Sequence, residues 1–136
     1  FFSEMHYRYP DRVGLTIGFV PELSKKIYAG ADMFLMPSQS EPCGLAQMIA
    51  LRYGTIPIVR ETGGLRDSIH DAGDKNGNGF TFKSYNAHDI LDAVVRARAY
   101  YDDKMKWGRL VNTALKQNFS WTKSAKDYIA LYNDIH

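Results

Sequence analysis

Ala31-Asp32-Met33-Phe34-Leu35-Met36-Pro37, and after it Glu41-Pro42-Cys43-Gly44-Leu45, decide how this chain folds, because they join the end of an apolar strand to the start of an apolar helix. The first run is short, apolar and closed by proline, the pattern of a buried strand leading through Ser38-Gln39-Ser40 into a turn. From Gly44 to Tyr53 the composition is helical, and Gly54 is a natural helix stop. At such a junction the first N–H groups of the helix have no intrahelical partner, and they point with the positive end of the macrodipole at whatever lies above the sheet. A phosphate suits that place. Gly44 would let it approach the backbone closely, and Glu41 is poised beside it.

The pattern repeats downstream. Ile56-Pro57-Ile58-Val59 reads as a strand and leads into Thr62-Gly63-Gly64-Leu65, a second glycine-rich turn. Two such turns at one sheet edge would form the crevice where open α/β sheets bind ligands. Upstream, Val13-Gly14-Leu15-Thr16-Ile17-Gly18 is β-prone and precedes a helix from about Glu22 to Gly30, with Leu23, Ile27 and Tyr28 on one face. Phe19 then falls at the same edge, where its ring either packs in the core or offers its face to a nucleobase. A glycine-rich loop from Gly73 to Gly79 reaches a brief strand at Phe80-Thr81-Phe82. Helical stripes follow: Ile90, Leu91, Val94 and Val95, then Trp121, Ala125, Tyr128, Tyr132 and Ile135 after Ser120 as N-cap. Both read as packing faces. Leu45, Met48, Ile49 and Leu51 surround most of their helix, which predicts burial against several neighbours. Strands alternating with helices give an α/β fold with a doubly wound parallel sheet.

A chain of 136 residues supports a single core. Its 17 basic residues barely exceed its 15 acidic ones and are scattered, which argues against nucleic acid as a partner. No apolar run approaches the roughly 20 residues of a membrane span. One cysteine precludes an internal disulfide and suits a reducing compartment. The opening at Phe1, within a polar and aromatic segment, leads us to expect a piece of a longer protein.

The same residues admit other chemistries. Cys43 lies where a helix N-terminus favours a thiolate, yet His6, His70, His88 and His136 show no spacing that commits one as its base; a small residue in a tight turn is the simpler reading. Asp74-Lys75-Asn76-Gly77-Asn78-Gly79 matches the start of an EF-hand loop, but Tyr85 stands at the twelfth position and a strand follows, so a polar turn with glycines at positive φ is expected. No metal and no cofactor are expected.

The runs 31–38, Glu41 to Gln47, Leu51 to Arg60 and Thr62-Gly63-Gly64-Leu65-Arg66-Asp67, with Phe119-Ser120-Trp121 near the end, closely resemble the bacterial glycogen synthases and plant starch synthases. The resemblance covers most of the chain from about Val13. It implies a retaining glycosyltransferase of two Rossmann-like domains, the chain being part of the C-terminal one, which holds the donor, with its first strands missing. It further implies transfer of glucose from ADP-glucose or UDP-glucose to an α-1,4-glucan, in the cytoplasm or, for a plant relative, the plastid. By position, Glu41 would hold donor glucose hydroxyls and the amides of Cys43, Gly44 and Leu45 would receive the diphosphate. Phe19 would stack on the base, where the family usually has tyrosine, and Thr62, Gly63 and Gly64 would line the sugar and phosphate side.

There are departures. Relatives often carry a second glutamate eight residues after the first, where Ile49 stands here. The family's arginine and lysine for the diphosphate, and its acceptor-binding domain, would lie before residue 1. The chain alone is therefore expected to be inactive, and its unpaired strand edges to invite self-association. The alternatives are a sucrose- or trehalose-forming relative and a non-catalytic nucleotide-binding module.

Overall fold

The computed structural model describes residues 1–135; His136, one of the histidines weighed above, lies outside the described residues. Three strands, β1 (Met33–Met36), β2 (Ile56–Arg60) and β3 (Phe80–Phe82), form a parallel sheet in the order β1-β2-β3. The helices are α1 (Phe2–Arg8), α2 (Pro21–Gly30), α3 (Ala46–Tyr53), α4 (Gly63–Ser68), α5 (Ala87–Asp102), α6 (Lys104–Leu115) and α7 (Trp121–Ile135). None is long and apolar enough to cross a membrane.

β2 is the centre of the core because it is paired on both sides, and its near-continuous apolar run leaves only Arg60 partly exposed. Ile56 N–H donates to Asp32 O on the β1 side at 3.0 Å, and Glu61 N–H donates to Phe82 O on the β3 side at 2.8 Å. Alternation therefore turns residue 57 towards β3, and Pro57 is tolerated because the β2–β3 pairing begins only at Ile58 and Phe80. Around this strand cluster Leu51, Leu65, Ile69, Phe80, Phe82, Ala93, Ala97, Leu110 and Ala114. Gly54 ends α3 in the left-handed conformation at φ 79°, as its sequence position predicts. The buried Thr55 hydroxyl then lies 2.9 Å from Ala31 O, tying the end of α2 to the start of β2.

Several sequence expectations are corrected. Residues 13–18 form no strand: no neighbour supplies a ladder, and Ile17 is exposed. Of the stripe predicted in α5, Ile90 and Val94 pack on the core, but Leu91 and Val95 face outward and the small Ala93 and Ala97 are the buried row. α7 has no buried residue, and its aromatic stripe lies open, with Trp121 87% exposed. α3 does meet several neighbours, yet Leu45 and Ile49 are exposed. In the 73–79 loop no glycine has a positive φ. Gly77 is required instead by close packing, since a Cβ there would stand 2.2 Å from Asp71 O.

Candidate functional site

The two glycine-rich turns that the sequence places at one sheet edge are joined. Gly64 N–H is shared between Glu41 O (3.1 Å) and Pro42 O (3.2 Å). A Cβ on Gly64 would lie 1.9 Å from Cys43 O, and one on Gly63 would lie 2.1 Å from Glu41 O, where φ is also +43°. Both glycines are thus demanded by the approach of the first turn's backbone. Gly63 and Gly64 act on the site by holding Glu41, Pro42 and Cys43 in place.

Beneath the turns lies Gln47, whose side chain is fully buried. The two hydrogens of its Nε2 serve three acceptors, Gly44 O (3.0 Å), Ser68 Oγ (3.1 Å) and Cys43 O (3.3 Å), so one is shared, and Ser68 Oγ donates onward to Gly64 O (2.6 Å). The carboxamide and hydroxyl form a polar pin between the two turns. Gln47 Oε1 is left without a partner, the one buried side-chain atom in that position among the described residues. Such an orphan costs about 1–3 kcal/mol.

Above the pin, α3 starts uncapped: Leu45 holds the N-cap position with no side-chain hydrogen bond. Among the described residues nothing accepts from the N–H groups of Gly44, Leu45 or Ala46. Unpaired amides at a helix N-terminus attract an anion through both hydrogen bonding and the macrodipole. Cys43 is exposed on the same turn, and among the described residues no histidine or carboxylate hydrogen-bonds it, so the small-residue reading fits better than the nucleophile. The Glu41 side chain is partly exposed and also without a hydrogen bond, hence available to a ligand beside those amides.

Arg60, at the end of β2, holds the approach to the turn. Its Nε donates to Ser38 O at 3.0 Å, Nη2 donates to Gln39 O, and Nη1 reaches Lys83 O at 3.5 Å, while the guanidinium lies over the Tyr85 ring. Strand ends and turn are thereby braced together. Phe19 is 94% exposed and follows Gly18 (φ +148°), so of its two readings core packing is excluded.

A second polar cluster stands by β3. Asp71 Oδ2 receives Arg96 Nη1 at 2.7 Å and Thr81 N–H at 2.9 Å, while Oδ1 accepts from Gly73 N–H at 3.1 Å. Desolvation pushes the Asp71 carboxyl up, but the Arg96 guanidinium and the two amides outweigh it and hold the carboxyl below the usual range. Every partner there is internal, so the cluster fastens β3 to α5. A groove of about 670 Å³ starts at Leu45 in the first turn and runs beside α3 past Ile49 and Arg52 to Leu115 and Phe119. Pro42, Cys43 and Leu45 of that turn are exposed, and Glu41 and Gly44 partly so.

Gln47, Ser68 and Arg60 escape a reading from motifs, because each works on backbone carbonyls that no pattern displays. One signal existed: Gln47 is a polar residue on the inward row of an otherwise apolar helix.

Comparison with known proteins identifies the family and the fold. The family model described as glycosyl transferases group 1 matches residues 7–109. Glycogen synthases of Anoxybacillus flavithermus and Bacillus anthracis are each 53% identical over 137 residues, covering 99% of this chain and 28% and 29% of theirs. That of Desulforudis audaxviator is 52% identical, over 98% of this chain and 27% of its own. The chain spans less than a third of the length of these relatives. The catalytic domain of starch synthase IV from Arabidopsis thaliana, solved bound to ADP and acarbose, superposes with a TM-score of 0.84 at 41% identity, over 98% of this chain and 29% of that one. A sucrose-phosphate synthase from Thermosynechococcus elongatus shares the fold, with a TM-score of 0.67 at 23% identity. With a family model spanning residues 7–109, most of its length, the chain belongs to the glycosyl transferases of group 1.

Proposed function

We propose that this chain is the donor-binding part of a glycogen or starch synthase, which transfers glucose from ADP-glucose or UDP-glucose, with retention, to the non-reducing end of an α-1,4-glucan. The observation that carries the reading is the uncapped start of α3, with unpaired amides at Gly44, Leu45 and Ala46 beside an unengaged Glu41. The 53% identity to bacterial glycogen synthases and the likeness to a starch synthase bound to ADP support it. Those bacterial relatives also favour a cytoplasmic setting.

Breaking the bond between glucose C1 and the diphosphate leaves an anion and an oxocarbenium-like sugar, so the protein must stabilise the first and orient the second. The amides of Cys43, Gly44 and Leu45 take the diphosphate, and Glu41 takes sugar hydroxyls. Phe19 offers its exposed ring to the base, and Thr62 with Gly63 and Gly64 forms the far wall. Residues 1–136 are part of the C-terminal nucleotide-sugar-binding domain; the cations for the diphosphate and the acceptor-binding domain come from the rest of the protein. The chain alone is inactive.

Calorimetry with ADP and ADP-glucose tests this in the protein carrying the chain. Glu41→Gln should weaken ADP-glucose by about tenfold, a loss of ~1.4 kcal/mol, and leave ADP nearly unchanged. Equal weakening of both ligands would remove the sugar role of Glu41. Glucan synthesis by the isolated 136-residue chain would overturn the division of labour.

A further inference from the structure

The carbonyls of Cys43 and Gly44 both turn inward to Gln47 Nε2, at 3.3 and 3.0 Å. No peptide bond here is cis, and across a trans peptide the C=O and N–H groups point in opposite directions. Carbonyls drawn inward at 43 and 44 therefore turn the N–H groups of Gly44 and Leu45 outward. Those N–H groups have no partner among the described residues. Gly44 makes the reversal possible at φ +73°, and a Cβ there would lie 2.6 Å from Gln47 Oε1, so glycine and glutamine are fitted to one another. Ser68 holds the carboxamide from the other turn.

We propose that Gln47 is a positioning residue for the donor diphosphate: its buried carboxamide, braced by Ser68, gathers two carbonyls of the turn and so aims the Gly44 and Leu45 amides at the phosphates. The inference rests on the donor reading above. A methionine of similar length would fill the same space without an orphaned Oε1, but it would leave two carbonyls unpaired and free the turn to rotate. The glutamine is the residue that fixes direction.

The lone cysteine of the chain precedes a glycine, so carbonyl-¹³C cysteine with ¹⁵N glycine labelling marks the Gly44 amide, and Cys43→Ser identifies its resonance in the longer protein. In the protein carrying this chain, that amide should exchange rapidly with solvent and shift on addition of inorganic pyrophosphate or ADP, but not adenosine. By calorimetry, Gln47→Met should lose about tenfold in ADP affinity while adenosine affinity moves by less than about twofold, with Ser68→Ala intermediate. Unchanged adenosine binding reports an intact fold. A Gln47→Met protein that keeps the wild-type ratio of ADP to adenosine affinity would overturn the positioning role while leaving the donor reading standing. Wild-type protein that binds neither ADP nor pyrophosphate would sink both. Should Gln47→Met not fold, the Gly44 amide decides: one that is protected and unmoved by pyrophosphate refutes the inference.

Discussion

Cys43 O stands 1.9 Å from where a Cβ on Gly64 would be, so these two residues fix how closely the turns can approach. The obstacle is backbone, which cannot swing aside. Gly64→Ala should separate the turns, destabilise the protein by about 1–3 kcal/mol and abolish donor binding. Urea denaturation and ADP calorimetry measure the two effects, and an alanine variant with wild-type stability would show that the turns yield.

Asp71 and Arg96 set part of the acid sensitivity. The folded carboxyl titrates below its unfolded value of about 3.9, so its contribution is fully present above that pH and is lost as pH falls through the folded value. The Arg96 side chain is 37% exposed, which screens the pair. Asp71→Asn should therefore cost about 1 kcal/mol at pH 7, a gap that narrows below about pH 4. Urea midpoints at pH 7, 5 and 3 for both proteins give the check. A gap that widens in acid would mean the sign is wrong.

Two glycines should respond in opposite directions. Gly54 is left-handed at φ 79°, so Gly54→Ala should destabilise by about 1–2 kcal/mol even though its Cβ would meet Val111 at an ordinary 3.4 Å. Gly108 lies inside α6 with nothing within 4 Å of a Cβ, so Gly108→Ala should stabilise by about 0.5–1 kcal/mol. Thermal melts of the two variants should move apart.

No residue on the aromatic face of α7 is buried, and Tyr128 and Tyr132 are 58% and 60% exposed. Tyr128→Ser with Tyr132→Ser should change stability by less than about 0.5 kcal/mol in the chain itself. A larger loss in denaturant titration would reveal packing that the structure does not contain.

How much could be read in advance depended on where the information lay. The strands at 33–36, 56–60 and 80–82 and the helix stop at Gly54 were legible because apolar runs bounded by turn residues leave little choice. Residues 13–18 misled because β-propensity needs a neighbour before it becomes a strand. The apolar row of α7 misled similarly: periodicity reports which face is apolar, and says nothing of what covers it. At the site, Glu41, Gly44 and the Thr62 to Gly64 turn were visible as types at a spacing. The contacts of Gln47, Ser68 and Arg60 with carbonyls were hidden, since every residue carries a carbonyl and only the folded path selects which one is met.

Pro57 acts as a mechanical stop for the sheet. Having no hydrogen to give towards β3, it keeps that strand from zipping further back, and the ladder can start only at Ile58 and Phe80. A slip that carried the pairing back along β2 to Ile56 would need a donor that proline lacks. The height at which Lys83 emerges is thereby set relative to Arg60, much as a dowel sets two boards flush. The ring of one residue deep in the sheet thus calibrates the level at which Lys83 meets the Arg60 guanidinium.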